Sequence, residues 1–133
     1  MEKIIIKATS NSPEVVLDPD KRIFEISGES RPKDVPDFYK PILLWLDQFG
    51  QDLANQKDST TSYEFNINFE YFNSLSAKYI LDFCKILSRL RSDGNKIIVK
   101  WHYEEDDDYM HEVGQDMSKI SKLPFEYVEI KLK

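Results

Sequence analysis

The chain has 133 residues, with 18 Lys+Arg against 24 Asp+Glu, a formal charge of −6. At 41% hydrophobic and 13% aromatic it can bury a core at this length, which excludes wholesale disorder, and no internal repeat marks a solenoid. Five acids are consecutive at 104–108, so the rest of the chain is nearly neutral. It lacks the clustered Lys/Arg that neutralise a nucleic acid or an anionic membrane, and neither is expected as a partner.

Near the start, only three apolar residues (Ile4, Ile5, Ile6) precede a charge. That is too short for a signal peptide's apolar region or a membrane span. The single Cys84 can neither pair within the chain nor build a thiolate-rich metal site. A cytoplasmic protein is expected, with one domain over 1–133.

In chain order, residues 4–8, 15–17 and 22–27 read as three short strands, the last two joined by an Asp18-Pro19-Asp20-Lys21 turn. Over 35–53, Phe38, Ile42, Trp45, Leu46, Phe49 and Leu53 recur at helical spacing. Pro36 suits that helix's first turn. Pro41 would remove an internal hydrogen bond, so the helix either kinks there or starts late with Pro41 at its first position.

The segment Tyr63-Glu64-Phe65-Asn66-Ile67-Asn68-Phe69-Glu70-Tyr71 alternates aromatic or Ile with Glu or Asn, which predicts a strand with one wet face. Asn73 and Ser74 are both good N-caps for a helix over 75–91, striped by Ile80, Phe83, Cys84, Leu87 and Leu90. Cys84 in that stripe reads as a buried structural thiol. After Gly94-Asn95, residues 96–103 turn Ile97, Val99, Trp101 and Tyr103 inward, and Met110, Val113, Met117 and Ile120 repeat as a helix. Pro124 introduces a last strand over 125–132, with Val128, Ile130 and Leu132 opposing Glu129, Lys131 and Lys133.

The order β-β-β-α-β-α-β-α-β predicts an α/β fold with a mixed sheet. Its later strands are parallel, joined by right-handed crossovers, and its helices pack mainly on one face.

Chemistry-bearing residues are few. His102 and His111 beside the acidic run are the only candidates for a small metal-dependent enzyme, yet the run lacks the glycine and ligand alternation of a calcium loop. No Gly-rich phosphate loop, nucleophile elbow or Cys/His pairing can be assembled, so no catalytic residue, metal or cofactor is expected. Asn73-Ser74-Leu75-Ser76-Ala77-Lys78 stands out at a strand-to-helix junction. One reading is ordinary capping by Asn73 or Ser74. The other is a phosphorylation switch, because phosphate on a serine at a helix N-terminus meets unpaired N–H groups and the positive dipole end.

At these residues the sequence resembles the SiaC-type biofilm-regulating phosphoproteins of bacteria, a family similar to the anti-sigma-factor antagonist (STAS) fold. The resemblance is carried by Ser12-Pro13-Glu14-Val15-Val16-Leu17-Asp18-Pro19, by Phe24-Glu25-Ile26-Ser27-Gly28-Glu29-Ser30-Arg31-Pro32-Lys33-Asp34-Val35, and by Phe38-Tyr39-Lys40-Pro41-Ile42 with Trp45-Leu46. Further on it includes Phe69-Glu70-Tyr71-Phe72-Asn73-Ser74, Trp101-His102-Tyr103 with the acids after it, and Leu123-Pro124-Phe125-Glu126.

It implies a STAS-like, non-enzymatic partner-switching regulator. A serine/threonine protein kinase phosphorylates it, a PP2C-like phosphatase restores it, and the unphosphorylated form binds and activates a diguanylate cyclase, raising cyclic di-GMP. The family's acceptor is a Thr after Tyr-Phe-Asn, which places Ser74 in that role with Ser76 in reserve. Asn73, Ser74, Leu75, Ser76 and Lys78 become the expected docking residues, followed by a turn at 28–32. The alternative is a binding domain of the anti-anti-sigma type with a different partner, such as an anti-sigma kinase.

Overall fold

The computed structural model describes residues 1–56 and 60–132. Within them the elements follow the expected order: β1 (Ile4–Ile6), β2 (Glu14–Asp18), β3 (Ile23–Ser30), α1 (Val35–Ala54), β4 (Ser62–Phe72), α2 (Ser74–Ser92), β5 (Lys96–Glu104), α3 (Asp108–Ser121) and β6 (Phe125–Ile130). The strands form one sheet in the order β1-β2-β3-β4-β5-β6. β1–β2 and β2–β3 are antiparallel and the remaining three pairs are parallel.

That order accounts for the layering. Each parallel connection steps to the next strand in the same direction, and right-handed crossovers that all step one way return their helices to one face. On that face Val15, Ile26, Ile67 and Trp101 stand in a single row, all buried. The adjacent row, Val16, Glu25, Asn66, Lys100 and Glu126, points to the uncovered face. There the Lys100 ammonium lies 3.0 Å from Glu64 and, with a hydrogen bond from Asn66, holds the Glu64 carboxyl below the usual range.

The β2–β3 turn closes on Asp18, whose Oδ1 accepts from the N–H groups of Asp20 (3.1 Å) and Lys21 (3.2 Å). β3 runs on to Ser30, so residues 28–30 are strand, not the expected turn. α1 begins at Val35, capped by Asp34, and continues through Pro41. A late start is therefore ruled out, and Pro41 lies on the exposed side of the helix, where water can serve the carbonyl that its missing N–H cannot. Tyr39, fully buried, occupies the inward position expected for half-buried Phe38.

Three inward-facing assignments shift. In β4 the alternation breaks where Gly28 pairs with Phe69 but Glu29 pairs with Tyr71. Glu70 is the extra residue of a bulge, so Phe72 turns inward and Tyr71 is 50% exposed. In α3 the buried line is Met110, Gly114, Met117 and Ser121, while Ile120 is exposed. The cause is Gly114, which lets the helix lie directly on Trp101.

In β6, Phe125 and Tyr127 pair with Val99 and Trp101 on the helix face, leaving Val128 and Ile130 on the uncovered face. Phe125 stacks on Trp101 (5.5 Å, 11°), which sets this parity. Leu132 lies beyond the strand and Lys133 outside the described residues. Cys84 is fully buried as expected, and burial pushes its thiol up to about 12.

A Cβ on Gly114 would fall 2.5 Å from Trp101 Nε1, and the indole cannot yield freely because it donates to the Met110 carbonyl at 3.0 Å. Gly114→Ala is predicted to lower stability by about 1–3 kcal/mol. This would be read as a reduced urea midpoint at unchanged slope; a wild-type midpoint would contradict the close approach.

Candidate switch site at the start of helix α2

The bulge at Glu70 and the cap at Asn73 together shape this site. Asn73 Oδ1 accepts from Ser76 N–H at 2.8 Å, its carbonyl accepts from Ala77 N–H at 3.0 Å, and its own N–H donates to the Ser30 carbonyl at 3.1 Å. Asn73 is therefore the cap, and this settles the capping question. Ser74, the first helical residue, is exposed, and among the described residues no hydrogen bond engages its hydroxyl. Leu75, its neighbour, is 49% exposed. With Tyr71 it places two large apolar side chains on the surface within four residues of the Ser74 hydroxyl.

Ser76 differs from the expectation. It is 0% exposed, and its Oγ donates to the Ser30 carbonyl at 2.9 Å, so its hydroxyl is presented neither to a kinase nor to a docking partner. Lys78 is exposed, 3.0 Å from Asp82 one turn on, and its ammonium lies 4.4 Å from the centre of the Tyr79 ring. Its pKa is raised, chiefly by the hydrogen bond to Asp82.

The electrostatics of α2 set it apart. α1 and α3 carry Asp37 and Asp108 in their first turns and are capped by Asp34 and Asp107; α2 has a neutral cap and no acid in its first turn. The positive end of its dipole thus meets no acid from its own cap or first turn, which favours an added anion there.

The acidic run has structural work at the next strand end. Asp107 Oδ1 accepts from Met110 N–H at 3.0 Å, while Glu105 accepts from Leu132 N–H at 3.0 Å and lies 3.6 Å from Lys131.

The two histidines are not brought together. His102 points to the uncovered face, with Nε2 2.9 Å from Asn66 Oδ1, and desolvation followed by nearby Lys100 lowers its pKa. His111 sits on α3 over the opposite face, stacked on Tyr103 (4.2 Å, 1°) and against Tyr127 (5.2 Å). Among the described residues no group of three or more His, Cys, Asp or Glu converges as a metal site.

Sequence reasoning missed Ser30, Tyr39 and Tyr71. Ser30 Oγ lies 2.5 Å from Tyr39 Oη and 2.9 Å from Ser76 Oγ, all three residues being 0% exposed. Only the helical phase of Tyr39, one position from Phe38, hinted at the first pair. Tyr71 needed knowledge of the bulge.

A family model described as SiaC family regulatory phosphoprotein matches residues 6–130. The chain belongs to the SiaC family. SiaC structures share its fold: the crystal structure of apo-SiaC from Pseudomonas aeruginosa matches with a TM-score of 0.80 at 21% identity, over 96% of this chain and 98% of that one. A crystal structure of the diguanylate cyclase SiaD in complex with its activator SiaC, from the same organism, matches with a TM-score of 0.82 at 19% identity, over 96% and 99%. An uncharacterized Pseudomonas aeruginosa protein is 22% identical over 125 residues, 94% of each chain.

Removing the cap should loosen this SiaC-family site without dismantling the fold. Asn73→Ala is predicted to cost about 1 kcal/mol and Asn73→Asp much less, since a carboxylate accepts the same Ser76 N–H. Equal losses for the two variants in urea denaturation would show that the side chain is not acting as the cap.

Proposed function

We propose that this chain is a single-domain, non-enzymatic partner-switching regulator in the cytoplasm whose unphosphorylated form binds and activates a diguanylate cyclase. A serine/threonine protein kinase phosphorylates Ser74 to end that interaction, and a PP2C-like phosphatase restores it. The observation that carries the reading is the unengaged, exposed Ser74 hydroxyl on the first turn of a helix that has a neutral cap and no acid in that turn. Membership of a family of regulatory phosphoproteins supports it. So does the existence of a SiaC as the activator of a diguanylate cyclase in a crystallised complex. No helix among the described residues is long and apolar enough to cross a membrane.

The mechanism follows from charge and solvation. The exposed Leu75 beside the Ser74 hydroxyl offers a surface that a partner can cover at little desolvation cost. Phosphate on Ser74 adds nearly two negative charges and three strongly hydrated oxygens. The helix tolerates that charge, but a partner closing over the same surface would have to strip its water. The modification thus leaves the fold intact and removes the interface.

Ser74→Asp is predicted to weaken binding of the cognate cyclase by about tenfold or more, equivalent to about 1.4 kcal/mol. Ser74→Ala should bind like wild type and resist inactivation by the kinase. Titration calorimetry with the purified cyclase checks both; if the two variants bind like wild type, Ser74 is only a helix residue.

A further inference from the structure

Beneath the proposed switch residue lies a closed chain of buried hydroxyls whose direction is fixed by its end. Ser76 Oγ lies 2.9 Å from the Ser30 carbonyl, which can only accept, so the Ser76 hydroxyl proton is spent there. Ser30 Oγ, 2.9 Å from Ser76 Oγ, must then donate to it. Tyr39, 2.5 Å from Ser30 Oγ, is left to donate into the chain. The sequence Tyr39 O–H to Ser30 O–H to Ser76 O–H to Ser30 C=O thus uses each proton once. Burial also pushes the Tyr39 phenol up to about 12, keeping it a donor at neutral pH.

The same Ser30 carbonyl accepts from Asn73 N–H at 3.1 Å. One residue at the end of β3 therefore holds both the cap of α2 and its third residue, with α1 bracing it through Tyr39. Tyr39 is itself packed against Tyr79 of α2 (5.8 Å, 8°). Ser74 and Leu75 are the two residues between these anchor points, Asn73 and Ser76.

We propose that Ser30, Ser76 and Tyr39 are positioning residues for the modification site, fixing the first turn of α2 so that a phosphate on Ser74 is held against the helix N-terminus. Three buried hydroxyls form an expensive way to fill space where apolar side chains would do, because each must be satisfied. Their common effect is to immobilise the one turn that carries the exposed serine. The inference rests on Ser74 being the modified residue, and its test supplies the phosphate directly so that the two ideas fail separately.

Phosphoserine is encoded at position 74 in the wild-type background, in Tyr39→Phe and in Ser76→Ala, and its second ionisation is followed by phosphorus NMR. A phosphate held at the helix N-terminus should ionise below the value of about 6 found for free phosphoserine. Both hydroxyl deletions should move it back toward the free value. They should also speed amide exchange at Leu75 about five- to tenfold, the effect of losing one buried hydrogen bond. Exchange at Val99, fully buried on β5 and paired on both sides, controls for global destabilisation.

Tyr39→Phe keeps the ring and its stacking, so it remains informative if Ser76→Ala folds poorly. An ionisation unchanged from wild type in Tyr39→Phe, or exchange rising equally at Leu75 and Val99, would overturn the positioning role and leave a purely structural hydrogen-bond chain. Absence of phosphate on Ser74 in the host would instead overturn the switch while leaving this measurement unaffected.

Discussion

Every parallel connection steps the same way along the sheet, and the placement of all three helices follows from it. β3, β4, β5 and β6 lie side by side in chain order, so α1, α2 and α3 share one face and begin at one edge. A buried row such as Val15, Ile26, Ile67 and Trp101 follows on the covered side, and a polar row through Glu25, Asn66 and Lys100 on the other. The same edge collects the three helix starts, where backbone N–H groups lack helical partners. At two of them an aspartate cap and a first-turn acid answer the dipole; at α2 a neutral asparagine caps the helix and the next residue is a bare serine.

Much of this was legible in residue spacing. Alternation in β4 and β5 and the stripe of α2 give a strong periodic signal because each buries one side against the same core. Spacing misleads where two phases are nearly equal or where one residue breaks the period. β6 carries apolar side chains at both parities, and only the stacking of Phe125 on Trp101 chooses between them. Ile120 reads as inward from spacing alone because a glycine cannot announce a buried contact through hydropathy, although Gly114 is where α3 touches Trp101. The bulge at Glu70 has no composition signal, so the exposure of Tyr71 was unreadable.

The site was legible in part. That Ser74 and Asn73 share a helix start follows from their order, but which of them caps is a matter of backbone geometry. Once Asn73 takes Ser76 N–H, the Ser74 hydroxyl is left to solvent. Ser76, alike in chemistry and two residues away, is turned by helical phase into the core and spent on Ser30. Two serines in one turn thus have opposite fates, one anchored and one free. This division fits a surface that changes charge while the fold beneath it stays put.

Ser74 is proposed as a reversible phosphoacceptor. This is tested most directly by intact mass and phosphopeptide mapping of the protein purified from its own host, with and without treatment by a PP2C-type phosphatase. The account predicts a single added phosphate, mapped to Ser74 and removed by the phosphatase. A chain never modified at Ser74 under any growth condition, or modified only elsewhere, would contradict it.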